Sequence, residues 1–402
     1  MPMLLALKAH CQSIHQHSPV KRLLALDVFR GITITAMILV NNPGNWQHIY
    51  PPLAHAKWHG WTLTDLIFPF FIFIVGVSIS LSGQRQRDKG LGHAHIIRHA
   101  FLRMLKLFLL GCFLALFYYN FSVVDYDWFS ERLMQIRFMG VLQRIALVYF
   151  VCVLLWLFLS RLQLLVAMLI ILAVYWLAMA FIPYHDDLGN QYVGLLEYAN
   201  NLSAWLDNRL FAKTHLYYSS AQPFAFDPEG VLSTLPAIAS GLSGVLAGQW
   251  LSSTHYSMDH KAKWLSIFAV VALVLGQVWA NWLPINKALW TSSYVLLSSG
   301  YAALVLALLI YVLDIKQWRL WSAPFLVFGA NSIAFFMFAG VVGRLVLMFN
   351  IGEVSIKNWI YIHIFQPWLG DLNASLAYAI SFLLLSYMVM FVMYHKQIFW
   401  KV

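Results

Sequence analysis

Between two long apolar stretches lies a connector crowded with groups that could do chemistry. It opens Asn41-Asn42-Pro43-Gly44-Asn45-Trp46. It continues through His55-Ala56-Lys57-Trp58-His59-Gly60-Trp61-Thr62-Leu63-Thr64-Asp65, and Pro69 lies inside the next apolar stretch. Gly and Pro are ordinary punctuation in such a place. Histidines and an aspartate at the rim of an apolar span are not, because an ionisable group there marks a functional site by default. The stretch reads as the mouth of an active site. On its own, His55 is better explained as an interfacial histidine bonded to a backbone carbonyl. Asp65 serves equally as the N-cap of the following helix or as a partner of His55.

Other polar groups interrupt the apolar runs. Asp27 and Arg30 are three residues apart, on one helix face, and can pair. Gln143-Arg144 sits well inside an apolar run and points to a polar cavity, because a buried Arg needs partners. The segment from Gln84 to Lys106 is the most basic of the chain. It reads as a topology signal and lipid contact or, more sharply, as a grip on phosphates. Asn286-Lys287 lies in the turn Pro284–Tyr294 and should share a face with His55; Asn331 breaks another apolar run. Asp227-Pro228-Glu229-Gly230 predicts a helix start with Asp227 as cap and Pro228 in the first turn.

Long apolar elements must carry these groups. The chain is 61% hydrophobic and only 10% charged, against about 25% charged in soluble domains. We therefore expect an all-α polytopic membrane bundle. A crossing takes about 20 apolar residues. On that measure about ten spans fall near 23–41, 66–83, 101–119, 139–158, 162–182, 231–251, 263–282, 291–313, 322–348 and 373–394. Ile356–Leu369 reads as an interfacial or re-entrant piece. Lys and Arg concentrate in alternate loops, among them Lys8, Lys21, Arg22, Arg85, Arg87, Lys89 and Lys401. This places both ends in the cytoplasm and His55 on the other face. The expected organisation is a cytoplasmic segment 1–22, a transmembrane domain 23–395 with a large outer loop 183–230, and a cytoplasmic tail 396–402. The net charge of +10 belongs to this topology and not to nucleic-acid binding. Cys11, Cys112 and Cys152 form neither a disulfide framework nor a metal spacing, and no cleaved leader is expected. Gly244-Val245-Leu246-Ala247-Gly248 is a small-residue packing face that would allow a homodimer.

Taken in order, these stretches resemble the membrane-embedded heparan-α-glucosaminide N-acetyltransferases, and bacterial relatives associated with N-acetylglucosamine use in particular. The matching residues are Leu26–Gly31, Val40-Asn41, His55–Gly60, Asp65–Pro69, Gly140–Arg144, Asp227–Gly230, Asn286–Trp290 and Asn331-Ser332. The resemblance implies acetyl transfer from cytoplasmic acetyl-CoA to a glucosamine amine across the membrane, with no metal. It puts the active-site histidine at His55 and its partner asparagine at Asn41, with Asn42 as fallback.

On that footing His55 is the general base, Asn41 holds the acyl oxygen, and Asp65 orients His55 or receives the sugar. Arg98 and Arg103, with Arg30, Gln143 and Arg144, would hold the coenzyme. Asn286, Lys287, Trp58 and Asn331 would meet the sugar, whether free amino sugar or glucosamine-terminated oligosaccharide. The expected setting is a bacterial inner membrane with lipid partners. Two rivals remain: an N-acetylglucosamine transporter, weakened by the lack of a clear internal repeat, and an O-acyltransferase of an envelope glycan.

Overall fold

The computed structural model describes residues 10–15 and 23–400. Lys8, Lys21, Arg22 and Lys401, used in the topology argument, lie outside the described residues. Among those described, nine helices are long and apolar enough to cross a membrane, or ten if one bent pair counts as a span. They are α1 (Leu24–Asn41), α2 (Leu63–Asp88), α3 (His93–Leu116), α4 (Val141–Phe158) and α5 (Arg161–Phe181). After a short α6 (Leu202–Leu210) come α7 (Val231–Ser252), α8 (Met258–Trp279) and α9 (Ser292–Leu309), whose last turns widen to Ile315. The bent pair is α10 (Ala323–Ala330) and α11 (Ser332–Met348), which meet at 72°. The last elements are α12 (Ile356–Ile360) and α13 (Gln366–His395), which breaks helical geometry at Gly370. Nine of the expected spans are thus present with shifted ends, while the one expected at 322–348 is the bent pair. The segment 356–369 is helical up to that break.

The bundle is held at its centre by α2 and α7. A Cβ on Gly76 would fall 2.0 Å from the Gly241 carbonyl oxygen, and one on Gly244 would fall 2.1 Å from that of Phe73. Only glycine allows this approach, and Ser80 closes it by donating to the Val245 carbonyl at 2.7 Å. The small-residue face read as a dimer surface is therefore occupied within the chain. By contrast α3, α5 and α8 turn most of their surface outward.

The stretch between α5 and α7 folds as a cap. It contains two short antiparallel ribbons, Tyr184–His185 with Gln191–Tyr192 and Leu196–Glu197 with Asn200–Asn201, followed by α6. Its core of Tyr184, Leu202, Phe224 and Phe226 rests on Tyr175 and Leu289, with Trp58 packed against it. Asp227 does not cap α7. The helix starts at Val231 with Gly230 as N-cap, which leaves Pro228 outside it. The capping acceptor comes from α6, where the Asp207 carboxylate takes the Val231 N–H at 3.0 Å and the Asp227 N–H at 3.3 Å.

Candidate active site

Helix α2 builds the site at its first turn. Thr62 is the N-cap and Asp65 sits at the third helical position, so Asp65 closes a capping box instead of being the cap itself. Its Oδ2 accepts from the Thr62 N–H at 3.0 Å, the Thr62 hydroxyl at 3.1 Å and the Ala56 N–H at 3.0 Å. Its Oδ1 meets His55 Nδ1 at 2.6 Å and Lys287 Nζ at 3.6 Å. The expected N-cap is thus Thr62 and not Asp65; the Asp65 carboxylate serves the capping box and His55 together, and is buried to 1% exposure while the His55 side chain is 49% exposed. Pro69 lacks an N–H and cannot bond the carbonyl four residues back, that of Asp65. The Tyr294 hydroxyl of α9 supplies the missing donor.

Lys287 reaches the site from the turn between α8 and α9. Its Nζ lies 3.1 Å from His55 Nδ1 and 3.4 Å from Nε2. The buried Asn286 beside it is a staple: its amide donates to the Trp58 carbonyl at 3.0 Å, and its oxygen accepts the Leu289 N–H at 2.9 Å. Gly60 N–H to the Ile285 carbonyl at 2.8 Å adds a backbone tie. Burial draws the Lys287 ammonium down, while Asp65 and Glu229 pull it back up. Burial likewise lowers His59. Trp58 faces the cap, donating from Nε1 to the Leu196 carbonyl at 2.8 Å.

Behind the site is a buried charge cluster. Arg137 forks to Asp227 through two bonds of 2.6 Å and also reaches Glu229. Burial opposes the charge on Glu229, yet Arg137, Arg144 and Lys287 hold it below the usual range. Arg144 is fully buried, bonds the Gly230 carbonyl and the Ser233 hydroxyl, and lies 5.0 Å from the Trp290 ring centre. Gln143 wedges against Gly111 and Gly140. Gln143 and Arg144 are thus held within the helix packing, with Arg144 Nε and Nη1 unpartnered among the described residues, and neither lines the cavity that follows.

The cavity lies along the other end of α1 and α2. It encloses about 470 Å³, and its walls include Asp27, Arg30, Ser78, Arg85, His99 and Arg103. Arg30 donates to Asp27 at 3.2 Å and to Ser78 at 3.1 Å. Arg103 packs over Tyr149 at 4.8 Å, and its Nε is buried without a partner among the described residues. Arg98 is exposed and does not line the cavity, because five residues from Arg103 turn it to another helix face.

Two expectations are redistributed. Asn331 lines this cavity, where it bonds the Ile398 carbonyl and the Trp400 N–H, so it is separated from Asn286 and His55. Asn41 is exposed at the end of α1; among the described residues no hydrogen bond joins it to His55. Asn42 closes the helix by donating to the Ile38 carbonyl at 2.8 Å.

Sequence reasoning missed Arg85 and His99 as wall residues. Spacing could have found them: Ser78, Ser82 and Arg85 share one face of α2, and His99 and Arg103 one face of α3. The cavity does not extend to His55. Its nearest wall residue on α2, Phe71, is six residues past Asp65, about 9 Å of helix rise.

The family model for heparan-alpha-glucosaminide N-acetyltransferase, catalytic, matches residues 22–278. The mouse heparan-alpha-glucosaminide N-acetyltransferase is 28% identical over 98% of the chain and 63% of its own length. The human protein of that name is 28% identical over 95% of the chain and 60% of its own length. The chain thus spans less than two thirds of the length of these curated relatives. With a multi-pass helical bundle, a match over more than half its length and the His55–Asp65 pair inside the matched region, the chain belongs to the heparan-alpha-glucosaminide N-acetyltransferase family.

Proposed function

We propose that the protein is a transmembrane N-acetyltransferase that moves the acetyl group of acetyl-CoA to the amine of glucosamine or a related amino sugar. The observation that carries this is the His55–Asp65 pair. A buried carboxylate bonded to Nδ1 at 2.6 Å fixes the imidazole and directs Nε2 outward as a base. The family's printed name gives the acceptor class. Acetyl-CoA would supply an activated thioester carbonyl. The cavity suits its phosphates, since Arg30, Arg85 and Arg103 line it and the buried Arg103 Nε has a hydrogen bond to give.

His55 Nε2 would accept the amine proton, and Asp65 would stabilise the imidazolium formed. Packed helices around α2 keep water from the thioester. The acyl carbon must come within reach of the amine held at Nε2, so the roughly 9 Å of packed chain between Phe71 and Asp65 has to open during turnover. We place the cavity end in the cytoplasm, because Arg85, Arg87, Lys89 and Lys106 cluster there, and the membrane as a bacterial inner membrane. On this reading the N-terminal segment and the tail are cytoplasmic, the body 23–395 is one transmembrane domain, and the cap 183–230 faces the acceptor.

The test uses purified protein in detergent with radiolabelled acetyl-CoA, with and without glucosamine. Acetylated sugar from the native chain and a loss of about 10²–10⁴ in rate for His55→Ala are expected. Native protein that binds or transports glucosamine without acetylating it would overturn the reading.

A further inference from the structure

We infer that Lys287 is a specificity-determining residue: its ammonium, held against the base, makes the site select acceptor amines that enter as the free base and reject those that enter as ammonium ions. This rests on the acetyl-transfer reading. It concerns which amines the site takes.

The geometry bounds where the reacting amine sits. A nitrogen deprotonated by His55 must hydrogen-bond Nε2 at about 3 Å. Lys287 Nζ is 3.4 Å from Nε2, so the amine nitrogen lies within about 6.4 Å of the ammonium. By itself the Lys287 charge disfavours a second positive charge at that distance by about a hundredfold at an effective dielectric constant near 20.

Asp65 offsets this only in part. Its carboxylate keeps its charge although Thr62, Ala56, His55 and Lys287 take up its oxygens, but it bonds the other ring nitrogen and so stands further from Nε2 than Lys287 does. At 1% exposure it offers no free oxygen to an incoming ammonium. The remaining charges whose fields reach Lys287 are Glu229 and Arg144, of opposite sign. Glu229 is committed to Arg137, and burial lowers the protonation of the neighbouring His59.

The step itself balances without an ammonium. The free amine forms the new N–C bond to the acyl carbon as the C–S bond breaks; its extra proton passes to His55 Nε2 and from there to the departing thiolate. A lysine here works as the repulsive element that specificity requires. It favours amines of low basicity, such as those flanked by electron-withdrawing hydroxyls on a sugar ring.

Asn286, not Lys287, carries the structural ties of the turn. Lys287 can therefore be changed with the fold kept. The experiment measures KM and kcat near neutral pH, with KM expressed per total amine, for glucosamine and for ethylamine, methoxyethylamine and trifluoroethylamine, small primary amines of falling basicity. Native protein, Lys287→Met and Lys287→Arg are compared, each checked by thermal melting in detergent.

In the native protein KM per total amine should fall as basicity falls, because only the free base is admitted. Lys287→Met should flatten that trend, changing the ratio of the KM values for ethylamine and trifluoroethylamine by about 10- to 100-fold, while Lys287→Arg retains it. A merely structural lysine would shift KM for all acceptors together and leave the ratio unchanged, which overturns the inference. Native protein that acetylates none of these amines sinks the transferase reading and this inference with it.

Discussion

At the scale of single residues, Asp65 decides most. It closes the first turn of α2 and fixes His55 with the same carboxylate. Asp65→Asn keeps the shape but turns an amide N–H₂ towards donors that need an acceptor. We expect kcat to fall by about 10² or more with KM for glucosamine little changed, and the melting temperature to drop, since a lost cap costs about 1 kcal/mol. Equal losses in KM and kcat would argue for sugar binding by Asp65 instead. Its place before an apolar run announced a helix start and a partner for His55, but spacing alone did not tell N-cap from the third helical position, which Thr62 and Asp65 divide. Asn41 is exposed and Asn42 bonds its own helix, which the path of the chain between Pro43 and His55 decides and spacing does not show.

Asp207 shows the opposite case. Nothing near it in sequence marks it, yet it caps α7 from α6. Burial pushes its carboxyl up to about 7. The folded state therefore holds a proton that the unfolded chain releases near its ordinary carboxyl value, so Asp207 favours the fold at low pH and that contribution is lost as pH rises from about 4 to about 7. Melting in detergent should show a decline over this window that is shallower in Asp207→Asn. An unchanged slope would remove Asp207 as its source.

At the scale of elements, the legible part was the set of long apolar helices, because about 20 apolar residues in a row leave little choice. The α7 small-residue face was legible too, but its partner was not. The spacing of Gly244 and Gly248 fits another copy as well as α2, and only the tertiary fold shows Gly76 opposite. Gly244→Val puts side-chain carbon into the Phe73 backbone and should abolish monodisperse protein in detergent, whereas a change on the outward side of α8 should be tolerated. The turn that carries Lys287 is held by Asn286, so Asn286→Ala leaves the Leu289 N–H without its acceptor. It should cost about 1–3 kcal/mol and lower activity while Lys287 remains in place chemically. Size-exclusion profiles and melting curves separate the two outcomes.

Across the whole molecule, the His55–Asp65 pair and the arginine-lined cavity share one helix. Asp65 holds His55 in the first turn of α2, and the cavity follows its later turns, from Phe71 to Arg85 over about 21 Å. The basic segment pointed to this end of the bundle, but helix rotation decides which of its cations face inward. Arg103 does and Arg98 does not. Arg103→Gln should raise KM for acetyl-CoA by about 10-fold or more with a smaller effect on kcat, and Arg98→Gln should change neither. Equal effects from both would place the phosphates on the outer surface of α3.

The bond pair at Asn331 bears on how such measurements are made. Its amide holds Ile398 and Trp400, and Trp400 itself forms part of the cavity wall. Whatever follows Trp400 starts from the wall of that cavity. An affinity handle or fluorescent reporter fused there would begin beside the wall, so kinetic work on the cavity calls for a handle that can be cut away.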